Sequence, residues 1–448
     1  MIRYTVALAN NYIRYRPVLV PVLMMITCGV VAFPLSFVSK TNLLMGLALF
    51  PFTILVTGKK RLSYLYLVAI ALSILIACAC NIRTFYFFGL GFYILFILEL
   101  RLGRLNSIIL FLLVFMSPFF EQIAVTLGFP IRLQLSELGA SIMSTAGFNV
   151  VADGNMILMN GASFSVDEVC MGLNMLSISM LGGVYLIGFQ FRQSGLQLSF
   201  PALSMYFLGI FSFSILSNLL RIVFIVVFQL DADHPMHEVT GLFCMLLYVL
   251  VPGYFLAKWM LAGFGNAALP ASEDHQPGRL IEFFTVGLGI IILLAGLQLR
   301  QVRKNMEIPH TNVSLPGFEQ TKLDNGITKL FNEEILVYVK YIPEFFSSDH
   351  TPLMCWKGAG FDLEMIREEN VAQTPVYMAR LIKSDETLYT AWWYTNGKIH
   401  TIDQLDWRSR MFMGEAAFCL VNITAANHGS LMKRLERIFT EHALVIKH

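Results

Sequence analysis

Three residues of the kind that carry chemistry lie at or near the same end of three successive apolar segments: Cys170, Arg221 and His237. They are a nucleophile, a permanent cation and a proton carrier. A charged side chain deep in a bilayer costs roughly 2.5–3.5 kcal/mol, so an ionisable group there is by default a functional hypothesis. Cys170 opens its segment in VCMGLNM (169–175), where a helix dipole and free N–H groups would favour thiolate. Gly172 would let a backbone or substrate approach closely. Arg221 lies in SNLLRIV (217–223), with Asn218 three residues earlier on the same helix face. His237 opens the next segment in HEVTGLF (237–243), and His234, beside Pro235, is its rival. Asp233 and Glu238 could orient either imidazole.

Taken singly, each residue has a plainer reading. Cys170 can be a small buried hydrophobe, Arg221 a snorkelling anchor and His237 a polar boundary residue. Taken together, Cys plus His is the minimum for an activated thiol nucleophile. A nearby cation can stabilise the thiolate or the oxyanion of a tetrahedral intermediate. That is acyl-transfer chemistry at one membrane surface.

The composition explains what must position these residues. The 448-residue chain is 56% hydrophobic and 14% charged, with a mean hydropathy of +0.64. A soluble domain carries about 25% charge. Residues 1–299 are almost uniformly apolar, and 300–448 read as a soluble domain. Membrane lipids are therefore partners, and a net charge of +2 speaks against nucleic acid. Seven cysteines show no CxxC spacing, so no metal site is expected, and no cofactor either. The first apolar run, 18–38, is too long for a signal-peptide core and lacks a small-residue cleavage motif.

A span needs about 20 apolar residues. Nine are predicted, at 17–38, 42–57, 62–80, 84–99, 105–127, 170–190, 198–229, 237–263 and 280–298. The seventh is long and could break near Ser217–Asn218. Alternate loops hold ten Lys/Arg on one side (Arg3, Arg14, Arg16, Lys59, Lys60, Arg61, Arg101, Arg104, Arg192, Arg279) and three on the other (Lys40, Arg83, Arg132). The N-terminus is then cytoplasmic and the C-terminal domain outside. Segment 131–148 has the spacing of an amphipathic interfacial helix. Residues 150–169 alternate around Asp153-Gly154 and Asn160-Gly161, predicting two or three short strands ahead of Cys170. The expected fold is a polytopic α-helical membrane protein of about nine transmembrane helices with a C-terminal extracytoplasmic α+β domain. That domain shows strand-like runs at 334–339, 376–382 and 388–394 and an amphipathic helix at 430–443. Cys355 and Cys419 would sit in an oxidising compartment, where a disulfide, two buried thiols or a functional Cys355 are all open.

These motifs resemble the exosortase/archaeosortase family of membrane transpeptidases. The family's Cys-x-Gly-hydrophobic motif is met by Cys170, Gly172 and Leu173, followed by Asn174. Its Asn-x-x-Arg motif is met by Asn218 and Arg221, and its His-x-x-x-Gly motif by His237 and Gly241. The three occur in family order over about 100–264. Met171 departs from the Ser of many members, which bears on substrate choice. A second resemblance lies in the tail. His350, Pro352 and Cys355, followed by Gly360-Phe361, are similar to the HxPxxC…GW pattern of the exosortase-associated domain, with Phe361 in place of Trp and Trp356 intruding after the Cys. The fusion resembles exosortase N of Bacteroidetes.

The resemblance implies a transmembrane exosortase domain at 1–299 and an extracytoplasmic associated domain at 300–448. It implies Cys170 as nucleophile, His237 as general acid/base and Arg221 as electrostatic stabiliser. It also implies a bacterial inner-membrane enzyme that cleaves C-terminal transmembrane sorting tails of secreted proteins, with water, a lipid-linked sugar or a protein amine as acceptor. Two readings from other classes are a transporter whose Arg221 and His237 line a pathway, and a polysaccharide-export assembly component without thiol catalysis. No internal repeat of the transporter kind is evident.

Overall fold

The computed structural model describes residues 27–30, 32–33, 37, 40–58, 63–166, 173–230, 234–267, 279–305, 312–323, 326–347, 352–384 and 386–447. In chain order these begin with α1 (Thr41–Thr53), α2 (Tyr64–Cys80), α3 (Arg83–Leu102), α4 (Ile108–Phe115) and α5 (Pro118–Thr145). Three short strands follow: β1 (Val150–Asp153), β2 (Met156–Met159) and β3 (Ala162–Ser165). Then come α6 (Leu173–Ser194), β4 (Leu196–Gln197), α7 (Phe200–Val227), α8 (Pro235–Met245), a π-turn at Leu246–Leu250, α9 (Val251–Phe264), β5 (Asn266–Ala267) and α10 (Arg279–Asn305). The chain groups into two compact units. One takes residues 1–124, 172–217 and 242–306, and the other 125–171, 218–241 and 307–448. Contacts, rather than hydropathy, draw this division, so it differs from a split at 299/300.

Five helices among the described residues are long and apolar enough to cross a membrane: Arg83–Leu102, Met175–Ser194, Phe200–Val227, Pro235–Phe264 and Leu280–Val302. Thr41–Thr53 and Tyr64–Cys80 are apolar but shorter. The first expected span, 17–38, falls largely outside the described residues. The fifth, expected over 105–127, is interrupted. Ser117 Oγ donates to the Val114 carbonyl at 2.6 Å and accepts from Phe120 N–H at 3.3 Å, and Pro118 starts a new helix. That new helix runs on through the amphipathic segment as one 28-residue element. The seventh span has no break at Ser217–Asn218, since α7 is helical from Phe200 to Val227.

Within the first unit, polar tyrosine tips tie apolar helices together. Tyr86 Oη donates to the Ile292 carbonyl at 3.1 Å, and Tyr93 Oη to the Thr285 carbonyl at 2.9 Å, joining α3 to α10. Asn42 Nδ2 donates to Ser177 Oγ at 3.2 Å between α1 and α6. In a medium without water, such bonds satisfy groups that would otherwise be costly to bury.

The second unit is rich in sheet. Its C-terminal part contains β6 (Asn312–Ser314), β7 (Glu319–Lys322), β8 (Ile327–Phe331), β9 (Ile335–Ile342), α11 (Pro352–Gly358), β10 (Asp362–Val371), β11 (Thr374–Lys383), β12 (Glu386–Thr395), β13 (His400–Thr401), α12 (Gln404–Phe412), β14 (Phe418–Ala425), α13 (His428–Thr440) and β15 (Val445–Lys447). The main sheet is antiparallel in the order β10-β11-β12-β14-β9-β8-β7, with β13 beside β12. Expected runs 334–339, 376–382 and 388–394 correspond to β9, β11 and β12. The expected helix is α13, whose Leu431, Leu435, Ile438 and Phe439 recur on one buried face. Asn427 caps it by accepting from Ser430 N–H at 2.8 Å. Trp393, fully buried, meets Phe439 edge-on at 5.0 Å. This is the expected α+β domain.

In the same unit, β1, β2 and β3 form an antiparallel meander. Asn160 and Gly161 both take positive φ in the β2–β3 turn, as that dipeptide predicts. The β1–β2 turn is shifted by one residue. Asp153 pairs with Met156, so the loop is Gly154–Asn155.

Candidate active site

Arg221 is 3% exposed and His237 6% exposed, and both belong to the second unit together with Asn218. Asn218 and Arg221 share a face of α7, three residues apart, and Asn218 is buried as well. Leu219 and Ile222, their apolar neighbours, close around Gly139 of α5. A Cβ built on Gly139 would lie 3.6 Å from Ile222, 3.8 Å from Leu219 and 3.9 Å from Ile157 of β2. The helix bearing Arg221, the amphipathic helix and the hairpin thus meet at one point. A methyl at Gly139 would therefore sit at ordinary van der Waals distance from all three.

The two histidines differ in burial and hydrogen bonding. His234 is exposed, and its Nδ1 accepts from Met236 N–H at 3.2 Å, capping the start of α8. Its carbonyl accepts from His237 N–H at 2.8 Å. Pro235 occupies the first turn, where no N–H is needed. His237 is carried on that capped turn and turned inward. Gly241, one turn further, is buried. Glu238 is exposed.

Cys170 and Gly172 lie outside the described residues, as do Asp233 and His350. Helix α6 begins at Leu173, so Asn174 is in its first turn. Pro352 is buried, and Cys355 is exposed on α11. Cys355 and Cys419 are separate free thiols, so the disulfide left open by their compartment is not formed. Trp356 Nε1 donates to Asn422 Oδ1 at 3.1 Å, and Asn422 Nδ2 donates to Thr390 Oγ1 and to the Ala391 carbonyl. A cavity of about 290 Å³ beside this network is lined by Tyr338, Lys340, Cys355, Trp356 and Asn422 among others. Burial, and next the neighbouring Cys355, push the Tyr338 phenol up.

One buried cation was missed by sequence reasoning, which counted Arg132 only as a loop charge. Arg132 is 3% exposed on α5, one face with Leu135, Ser136, Gly139 and Met143. Its carbonyl accepts from Ser136 Oγ at 3.0 Å. The signal was present, because 132, 135, 139 and 143 follow the helical period of an element already read as amphipathic. Among the described residues, no group of three or more His, Cys, Asp or Glu could hold a metal ion.

Residues 58–254 match the family model of the transmembrane exosortase. Over these residues the chain is similar to the transmembrane exosortase family. The exosortase match contains Asn218, Arg221 and His237 and stops before α10 and the C-terminal domain. No curated protein and no solved structure gives a match. The matched region is membrane-embedded, consistent with its long apolar helices.

Proposed function

We propose that this chain is a membrane cysteine peptidase or transpeptidase that removes C-terminal sorting tails from secreted proteins at the outer face of the bacterial inner membrane. The observation that carries the reading is the burial of both Arg221 and His237 within one compact unit of a chain similar to the exosortases. A buried Arg and a buried His in apolar helices are costly unless they serve a site.

In this reading the Cys170 thiol gives its proton to His237, and the thiolate attacks the scissile carbonyl. Arg221 stabilises the developing oxyanion. Collapse breaks the C–N bond. Protonated His237 returns its proton to the amine of the departing tail, leaving a thioester on Cys170. An acceptor amine or water, deprotonated by His237, then attacks the thioester and regenerates the thiol. The acceptor class includes a protein amine and a lipid-linked sugar bearing one. A transmembrane tail would bring its scissile bond to the depth of the site. The C-terminal domain, similar in its His350, Pro352 and Cys355 pattern to the exosortase-associated domain, would be extracytoplasmic and the N-terminus cytoplasmic.

The test is co-expression with a tail-bearing secreted protein, following tail removal by mass, beside Cys170→Ala and His237→Ala. Processing only with both residues intact supports the thiol mechanism, and the mass of the new C-terminus names the acceptor. Unchanged processing in Cys170→Ala overturns it.

A further inference from the structure

The main sheet has an edge at β10, and that edge is broken. Pairing with β11 runs Glu364↔Arg380 and then jumps to Arg367↔Met378, with Met365 at φ 53°. A β-bulge of this kind turns backbone groups away from the ladder. The two groups of Ile366 are taken up by the β1–β2 turn. Asn155 N–H donates to the Ile366 carbonyl at 3.1 Å, and Ile366 N–H donates to Asn155 Oδ1 at 2.8 Å. Asn155 is fully buried, and its own carbonyl accepts from Val166 N–H at 2.8 Å. Val166 stands four residues before Cys170 in the chain.

The fit leaves no spare room. Gly154 has φ 62°, and a Cβ there would lie 2.0 Å from the Ile366 carbonyl oxygen. Beside it, Arg367 bonds Glu369 at 2.6 Å and Asp153 at 3.4 Å. Two residues beyond Asn155, Ile157 reaches the Gly139 junction beside Leu219 and Ile222, the flanks of Arg221. The hairpin therefore touches β10 with its turn, and its β2 reaches the Gly139 position on α5 that the Arg221-bearing helix also faces.

We infer that the hairpin is a joint through which the C-terminal domain positions the site, with Gly154 and Asn155 as positioning residues. The inference rests on the peptidase reading for its activity assay, but the joint itself is read from geometry. On this view the C-terminal domain is an integral part of the enzyme, its bulged edge strand holding the segment that leads to the nucleophile.

The full chain is compared with Gly154→Ala, Asn155→Ala and Gly161→Ala. Gly161 is the internal control. It has φ 84° in the neighbouring turn of the same meander, but nothing lies within 4 Å of its Cβ position. Tail processing should lose about 10- to 100-fold in kcat in Gly154→Ala and Asn155→Ala, with KM within about twofold, as misplacement of a catalytic group does. Gly161→Ala should stay within about threefold of the parent in kcat, since its strain displaces no partner. The second readout is the alkylation rate of Cys170 against pH, resolved by peptide mass, with exposed Cys355 as reference. The profile should shift in the first two variants and not in the third, while Cys355 is unmoved. Arg367→Glu, a surface change, should give a smaller loss that Asp153→Arg restores, and it serves if the turn variants fail to fold. Equal effects of Gly154→Ala and Gly161→Ala on both readouts, or an unaltered profile in Arg367→Glu, overturn the joint. If the parent itself processes no tail, the peptidase reading fails, and the alkylation profiles still decide the joint.

Discussion

Asn155 and Ile366, 211 residues apart in sequence, exchange two hydrogen bonds, one in each direction, at 3.1 and 2.8 Å. The backbone N–H and the side-chain carbonyl of Asn155 together stand in for a strand, satisfying both groups of Ile366 that the bulge leaves over. A buried N–H or carbonyl left without such a partner costs about 1–3 kcal/mol. The bond pair and the bulge are therefore mutually dependent.

The two histidines of the α8 start should separate cleanly. His237→Ala is expected to lower tail processing by about 10²–10⁴-fold, the usual contribution of a general acid/base. His234→Ala removes an exposed cap and should cost about 1 kcal/mol or less of helix stability, with kcat within about threefold. Steady-state kinetics on purified protein checks both, and equal losses would reject the assignment.

Gly139 tests the junction of α5, α7 and β2. An Ala there meets its neighbours at 3.6–3.9 Å, ordinary contact distance, and should raise stability by up to about 1 kcal/mol through helix propensity. Gly139→Leu must push Ile222 and Leu219 away and should cost about 1–3 kcal/mol. Thermal unfolding in detergent gives the order Ala above parent above Leu.

His400 makes the C-terminal domain sensitive to acid. Burial first, and His442 second, hold its imidazole below the ordinary 6.5. It packs against Phe439 at 5.3 Å. As pH falls through about 6.5, the unfolded chain binds a proton that the folded domain refuses. The neutral imidazole's contribution is thus whole above about 6.5 and is lost on acidification down to the depressed folded value. The Tm drop between about pH 7.5 and 5.5 should be smaller in His400→Gln than in the parent.

Cys355 and Cys419 should behave as unlinked thiols. A maleimide should label Cys355 in the native protein and reach Cys419 only after unfolding, because the first is exposed and the second fully buried. Addition of a reductant should leave the Tm of freshly purified protein unchanged. Labelling of both at equal rates would contradict the burial of β14.

Much of the molecule was legible in the residues themselves. Apolar runs announced the helices, and period-two alternation announced β9, β11 and β12, because burial on one face selects side chains locally. The Asn160-Gly161 turn could be read because positive φ at two successive positions suits few residue pairs. Cys170, Arg221 and His237 stood out because charged and reactive side chains are rare in apolar sequence, and of the three the structure describes Arg221 and His237, both buried. Other features depend on partners far away in the chain. Whether His234 or His237 turns inward follows from the cap at α8, and the two lie in one polar stretch with no local mark to separate them. Arg132 looked like a loop charge until its helix face was found buried. The turn at Gly154–Asn155 slipped one residue from the expected Asp153-Gly154 because Asp153 pairs with Met156, which leaves Asn155 facing β10. Local sequence determines which elements form, since propensity and pattern act within a few residues. Only the tertiary structure decides which of their polar groups are desolvated and which bulge they complete, since those energies belong to contacts between segments.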